Sequence, residues 1–442
     1  MKERSQAAHR REVDPAPVGT FASPSGRFVY AFLFLGLGWL GWQVIADTMA
    51  DTRAAGDPEG ALAWRADLPP ALVGLAEQRL VVAKTEQDLT GVSELADRAL
   101  AASPIAPGAL RLLGLVADLK GKTDEARTLM DLAGRQSLRD TVAQVWLFDQ
   151  DLHAGRSIDA LASADAMLRT RPDLGEQLLP ALASVAADPA AGQSLIHLLA
   201  TNPPWRTRLL MELPKVTDPA IDYAILSGLQ TGPNPPTAGE LRPYVDHLVD
   251  LGQFELAYLA WLHFLPPGHA DTVSYAYNGD FEAQPSGLAF DWVISDVAGA
   301  HTEWADAGDP HRGHALRITF ANTRVAYHHI RKLMILPPGH YELSGMAKAD
   351  NLNNERGMTW RVYCAEGDKT MIAETARISG TQPWQQFATA FDVPASGCRG
   401  QWLVLELAAR VAMEEEVGGE VWFDDLAVEQ AGNALAGTTP SD

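Results

Sequence analysis

Residues 28–46 read FVYAFLFLGLGWLGWQVIA, nineteen positions without a charged side chain. As a helix rising about 1.5 Å per residue, they would extend roughly 28 Å, close to the thickness of a bilayer's hydrocarbon core. Tyr30, Trp39 and Trp42 near its ends suit the interfacial preference of aromatic rings. We interpret the stretch as a single transmembrane helix. A signal peptide cleaved at Ala50 and a buried core helix are the alternatives.

The charges on either side of this stretch predict its orientation. Residues 1–27 carry five Lys and Arg side chains, whereas residues 47–60 carry four acidic side chains against Arg53 alone. Because an excess of positive charge stays in the cytoplasm, we expect 1–27 to be a cytoplasmic disordered segment. In a bacterial cell the chain would then cross the inner membrane once, with its bulk in the periplasm.

Composition narrows the classes of function. The chain has 442 residues, a net charge of −21 and two cysteines. So acidic a chain is a poor binder of nucleic acid, whose phosphates attract basic surfaces. Two cysteines are too few for a thiol-rich metal site. We find no nucleophile elbow, HExxH helix or phosphate-binding glycine loop, and we expect no enzymatic activity.

Residues 61–266 are rich in Ala and Leu, with Pro and Gly at intervals typical of short helices. LKGKTDEA at 119–126 and HAGRSIDA at 153–160 place Gly121 and Gly155 34 positions apart, and LGQFELA at 251–257 repeats the turn. Residues 70–172 resemble tetratricopeptide-type helical repeats. The resemblance implies an α-helical solenoid (repeat) domain that binds a protein partner.

From residue 274 to 430 the pattern changes to alternating strands, which favours an all-β sandwich or jelly roll. A tail, 431–442, is expected to be disordered. The expected strands are 315–321, 325–336, 340–348, 358–365, 369–378, 384–393, 401–409 and 420–429. In 358–365, alternation places Trp360, Val362 and Cys364 inward and Arg361 and Tyr363 outward.

Four motifs in this region occur in an order that resembles galactose-binding-like jelly rolls, including carbohydrate-binding modules. They are YNGDFE at 277–282 followed by Trp292, LPPGHYEL at 336–343, WQQF at 384–387 and VWFDDLAV at 421–428. We expect NGDFE and FDDLAV to be strands that meet. The resemblance implies glycan binding. It also implies a structural calcium where the first and last motifs meet, with Asp280, Glu282 and Asp425 as ligands; the alternative is that these carboxylates cap strand ends and face water.

Sugar binding needs aromatic rings beside planar hydrogen-bonding groups, because a pyranose has an apolar face and a polar rim. We take Trp304, Tyr327, His329 and Arg361 as candidate ligand-binding residues, although most rings of a sandwich belong to its core. Cys364 and Cys398 are expected to pair as a disulfide in an oxidising compartment; the alternative is two separate buried thiols.

These patterns together predict a multidomain, membrane-anchored scaffold facing the periplasm. Its helical repeats would bind a protein partner, and its jelly roll would bind glycan, in exopolysaccharide or cell-envelope assembly. A protein-only adaptor of an envelope or secretion complex is the alternative, and a glycan-active enzyme a minor one.

Overall fold

The computed structural model describes residues 24–266, 268–269, 273–310 and 312–431. Most of the expected cytoplasmic segment 1–27, and the expected tail from residue 432 onward, lie outside these ranges. Chain contacts divide the protein into two compact units, one ending at Leu147 and the other beginning at Phe148. The second unit contains both helices and strands.

Helix α1 spans Pro24–Arg53 and is longer than the apolar stretch that predicts it. Its Phe32–Arg53 portion is long and apolar enough to cross a membrane, judged by length and composition. Phe32, Phe34 and Trp39 are exposed. At the other end of the helix, Ala50 and Ala54 pack in a small apolar cluster with α2 and α3.

Short helices follow as far as residue 263. The first unit holds α2 (Pro58–Trp64), α3 (Pro69–Val82), α4 (Glu86–Ala102), α5 (Pro107–Leu119) and α6 (Thr123–Gln136). Helix α7 (Thr141–His153) crosses the division between the units. The second unit continues with α8 (Ser157–Thr170), α9 (Gly175–Val185), α10 (Pro189–Ala200), α11 (Arg206–Val216), α12 (Pro219–Gln230), α13 (Ala238–Asp250) and α14 (Phe254–His263).

Three helices end in the same turn, as the repeated text predicts. Gly121, Gly155 and Gly252 have φ angles of 72°, 67° and 69°, a left-handed conformation that glycine adopts without strain. In each turn the next residue donates its N–H to the carbonyl five positions back. The Ala that follows each glycine by five residues is fully buried. The assignment to tetratricopeptide repeats stays a prediction.

In the described part of the chain, ten strands form two antiparallel five-stranded sheets, the sandwich expected from alternation. The strands are β1 (Val293–Ile294), β2 (Ala300–Asp306), β3 (His314–Arg324), β4 (Ile330–Met334), β5 (Gly339–Leu352), β6 (Met358–Cys364), β7 (Met371–Glu374), β8 (Gly380–Val393), β9 (Gln401–Leu407) and β10 (Glu416–Gln430). One sheet has the order β1-β4-β9-β6-β7, and the other β2-β3-β10-β5-β8. Strands β1 and β2 are additional to the predicted set. The predicted strand 325–336 is reduced to β4.

The YNGDFE motif is a turn and not the expected strand. Three N–H donors, two from side chains and one from the backbone, bind its carbonyls. Lys332 Nζ donates to the Tyr277 carbonyl, Trp292 Nε1 to that of Asn278 at 2.7 Å, and Leu426 N to that of Gly279 at 2.8 Å. A register shift in β10 between Asp424 and Ala427 turns Leu426 N toward the motif. The first and last motifs therefore meet, as predicted.

The expected disulfide between Cys364 and Cys398 is confirmed, with a Cα–Cα distance of 4.8 Å. Both cysteines are buried in the core of the sandwich. Trp360 and Val362 point to the same interior, which confirms the predicted alternation of β6.

Helices of the second unit and the sandwich share apolar packing. Leu333 of β4 and Phe290 belong to one buried cluster with Trp261 of α14, and Trp402 of β9 packs against that cluster. The outer face of the β1-β4-β9-β6-β7 sheet is thus covered at one end and open at the other, where polar side chains gather.

Candidate functional site

The open part of this outer face carries aromatic and charged side chains on three neighbouring strands. Tyr363 of β6 pairs with Trp402 of β9, and Trp402 pairs with Leu333 of β4. One row further, Arg361 and Arg331 lie on either side of Val404. Because residues that pair across strands point to the same face, these side chains lie side by side. We call this surface the sheet-face site.

Arg361 is the centre of a hydrogen-bond network in the sheet-face site. Its Nη1 donates to Glu406 Oε2 at 2.7 Å and its Nη2 to Glu374 Oε1 at 3.1 Å. Tyr363 donates its hydroxyl to the same Glu406 oxygen at 3.0 Å. Burial alone would lower the pKa of Arg361, but hydrogen bonds to Glu406 and Glu374 outweigh it, and the pKa is raised. Arg361 therefore stays charged and fixes both carboxylates.

The Tyr363 phenol stays protonated over the ordinary pH range. Burial raises its pKa, and the neighbouring Glu406 carboxylate raises it further. The Tyr363 side chain remains partly exposed. It presents an aromatic ring whose hydroxyl is held in one position.

A cavity of about 220 Å³ opens beside this network. Its lining residues are His328, Arg331, Tyr363, Lys369, Trp402, Val404 and Glu406. The Arg331 guanidinium lies over the Trp402 indole, with Cζ 4.7 Å from the ring centroid. The cavity therefore combines aromatic surface with hydrogen-bond donors and one carboxylate, the chemistry that a polar ring-shaped ligand needs.

The structure separates the four ligand-binding residues suggested by the sequence. Arg361 lies in the sheet-face site. His329 lies at its edge, its ring 4.6 Å from that of His328, and its pKa is lowered by burial and then by His328. Tyr327 is 2% exposed and shares a hydrogen bond of 3.2 Å with Thr302, so its ring is core. Trp304 lies on β2 of the other sheet, against His314.

Sequence reasoning did not single out Arg331, Lys369, Trp402 or Glu406 as site residues. Alternation along β9 places residues 402, 404 and 406 on one face, and this signal was available. The missing information was that β9 lies between β4 and β6.

A larger cleft of about 600 Å³ brings together the three carboxylates proposed for calcium. Asp280, Glu282 and Asp425 all line it. Among the described residues, the cleft consists mainly of turn residues, and Tyr277, the only Phe, Tyr or Trp side chain in that lining, is buried. It therefore offers less exposed aromatic surface than the sheet-face site.

The carboxylates of this cleft already have positively polarised partners. Arg312 Nη1 donates to Asp425 Oδ2 at 2.7 Å and to Asp424 Oδ2 at 2.9 Å. Glu282 accepts the backbone N–H of His314 at 2.9 Å. Burial raises the pKa of Asp424, and Arg312 opposes that shift.

Within the described part of the chain, no three or more His, Cys, Asp or Glu side chains are grouped to hold a metal ion. Of the three expected ligands, Asp425 is paired with Arg312, which also pairs with Asp424. The calcium assignment remains a prediction from the resemblance.

No protein-family model matches the chain. No curated protein matches it either. Among solved structures, a CBM4 structure aligns at 20% identity and a TM-score of 0.27, over 35% of this chain and 99% of that chain. TmCBM61 in complex with β-1,4-galactotriose aligns at 16% identity and a TM-score of 0.25, over 36% of this chain and 99% of that chain. The C-terminal family 22 carbohydrate-binding module of Clostridium thermocellum Xyn10B aligns at 14% identity and a TM-score of 0.26, over 38% of this chain and 100% of that chain. Similarity at this level assigns no ligand to this chain.

Proposed function

We propose that this protein is a non-enzymatic, membrane-anchored glycan-binding scaffold, which contacts saccharide through the sheet-face site. One observation carries the proposal. Tyr363 and Trp402 present aromatic surface on paired strands, directly beside the planar Arg361–Glu406 pair. Aromatic rings pack on the apolar face of a sugar, while planar polar groups bind its hydroxyls in pairs. The rigid network lowers the entropy lost on binding.

The setting of this activity is part of the same proposal. The length and apolar composition of α1 support a membrane tether. The Cys364–Cys398 disulfide supports an oxidising compartment such as the bacterial periplasm. With the helices holding a protein partner, the scaffold would serve exopolysaccharide or cell-envelope assembly.

A protein-only adaptor is the second candidate, and a groove in the helical part favours it. The groove has a volume of about 450 Å³ and lies between α12, α13 and α14. Leu256 and Leu259 on its rim are more than half exposed, and Tyr223 is 38% exposed. Exposed apolar side chains around a concavity are typical of protein-binding surfaces.

A glycan array followed by calorimetry on the full chain in detergent tests the first candidate. We expect at least one polysaccharide class to bind, and Tyr363→Ala to abolish that binding. Tyr223→Ala is the matched control, since it removes the same side chain from the helical groove. Silence across a broad panel would remove the glycan proposal and leave the adaptor. Turnover of a bound glycan would contradict the non-enzymatic part.

A further inference from the structure

We propose that the sheet-face cavity selects a carboxylated saccharide, such as a chain of uronic acid residues. This inference rests on the proposed glycan-binding function and names its ligand class. It starts from charge. The chain carries a net charge of −21, yet Arg331 and Lys369 both line this cavity.

In the described chain, Arg331 and Lys369 lack the carboxylate partners that six arginines of the sandwich have, and unlike Arg324, Lys348 and Arg410, which also lack them, they line the same cavity. Among the described residues, neither Arg331 nor Lys369 forms an ion pair. Six other arginines of the sandwich do form ion pairs: Arg312, Arg317, Arg356, Arg361, Arg377 and Arg399. The cavity is thus a place where positive charge is left available in an acidic protein.

The single carboxylate in the cavity lining is already neutralised. Glu406 accepts hydrogen bonds from Arg361 and Tyr363 through one oxygen. Asp246 of α13 also interacts electrostatically with Arg331. The pKa of Asp246 is raised, because the effect of burial outweighs the opposing charges of Arg242 and Arg331. Asp246 forms no direct ion pair with Arg331. A ligand carboxylate could therefore pair with Arg331 without displacing a protein partner.

The contact between Arg331 and Trp402 suits this role. The guanidinium lies over the indole, with Cζ 4.7 Å from the ring centroid. Its N–H groups point along the plane of the guanidinium and remain able to donate. A guanidinium can form two parallel hydrogen bonds to a carboxylate, and these charge-assisted bonds are stronger than the bonds that the hydroxyls of a neutral sugar accept.

The size of the cavity limits the contact to a short part of the polymer. At about 220 Å³ it is smaller than the roughly 300–1,000 Å³ typical of sites that enclose a drug-sized ligand. One sugar residue would enter, with its ring toward Tyr363 and its carboxylate toward Arg331 and Lys369. The rest of the chain would lie along the open sheet.

The test is calorimetric titration of the full chain with oligogalacturonate and with its fully methyl-esterified form. The two share ring and linkage, and differ in the charge at each carboxyl. We expect the acid to bind at least about tenfold more tightly than the ester, the size of one charge-assisted hydrogen bond. Arg331→Gln and, separately, Lys369→Gln should each lower the affinity for the acid toward that for the ester, and the double variant should remove the difference. Lys369 is exposed, so its variant should fold normally.

The outcomes separate this inference from the function on which it rests. Equal binding of acid and ester, or tighter binding of the ester, would overturn the carboxylate selectivity and keep glycan binding. If a sulfated oligosaccharide without carboxylates binds as tightly as the acid, the cavity attracts anions in general, and the carboxylate selectivity is overturned as well. Failure of both forms to bind, together with binding of a neutral glycan from the array, would also overturn the selectivity. Failure of every glycan would remove the proposed function itself.

Discussion

The Arg331 guanidinium lies over the Trp402 indole, 4.7 Å from the ring centroid, on adjacent strands of the sheet-face site. Trp402 has a second role, because it also packs against the apolar cluster shared with the helices. The same ring thus connects the helical layer to the open part of the sheet. Trp402 therefore contributes both to packing and to the proposed ligand-binding surface.

Replacing Trp402 by Leu should separate these two roles. Leucine keeps apolar contact with the helical cluster but removes the ring beneath Arg331. A cation–π contact is worth about 0.5–2 kcal/mol, so we expect affinity for an acidic oligosaccharide to fall by about twofold to thirtyfold. Calorimetry measures the loss, and Trp304→Leu on the other sheet is the control. Unchanged affinity in Trp402→Leu would mean that the ring does not position Arg331.

The buried Lys332 should make stability depend on pH. Burial lowers its pKa from the ordinary value of 10.5 to about 7, against the opposing charge of Asp291. Between pH 7 and 10.5 the unfolded chain therefore binds more protons than the folded chain, and the free energy of unfolding rises with pH. We expect the thermal midpoint of the sandwich, followed by tryptophan fluorescence, to increase from pH 7 to pH 10.

Lys332→Met should flatten that increase. Lys348→Met is a suitable control, since Lys348 also lies over a tryptophan, 4.6 Å from the Trp422 centroid, but is only partly buried. The control should keep the pH dependence of the wild type. A wild-type midpoint that is constant or falls between pH 7 and 10 would show that Lys332 is not held in this environment.

Removing the disulfide should destabilise the sandwich. The bond closes a loop between residues 34 positions apart, for which the chain-entropy model gives about 3–4 kcal/mol. The double variant Cys364→Ala/Cys398→Ala avoids placing hydroxyl groups in the core. We expect its thermal midpoint to lie clearly below that of the oxidised wild type and close to that of the reduced wild type. A midpoint unaffected by reductant would contradict a stabilising bond.

Calcium should have little effect on the cleft near Asp425. Because Arg312 already pairs with Asp424 and Asp425, we expect the thermal midpoint to be the same in excess calcium and in excess chelator. Arg312→Gln should lower the midpoint, since it leaves a buried carboxylate without its partner. A midpoint raised by calcium in the wild type would contradict this expectation and support the metal site implied by the family resemblance.

Short sequence patterns were enough to predict features that depend on neighbouring residues in the chain. The turns at Gly121, Gly155 and Gly252 follow from a glycine after a helical run, and alternation along β6 predicts that Arg361 and Tyr363 point outward. Strand β2 was missed because AHTEWAD carries little apolar alternation. Residues 325–329 look like a strand, but they leave the ladder, and their carbonyls bind isolated amides, as Tyr327 does with Leu407 N.

The site could be predicted only in part, since it is built from strands far apart in sequence. Arg361 and Trp402 become neighbours because β9 enters the sheet between β4 and β6. Tyr327 was misjudged because both faces of its segment carry apolar residues, and the structure buries its ring. Trp304 belongs to the opposite sheet, which the alternation of its own strand cannot indicate.

The most direct test of glycan binding at the sheet-face site is hydroxyl-radical footprinting of the full chain, with and without the tightest-binding saccharide of the panel. We predict that oxidation of the Tyr363 and Trp402 side chains slows on binding. Oxidation of Trp304, Tyr223 and Met413 should remain unchanged. Protection at Tyr223 with none at Tyr363 would place the ligand in the helical groove and contradict the account.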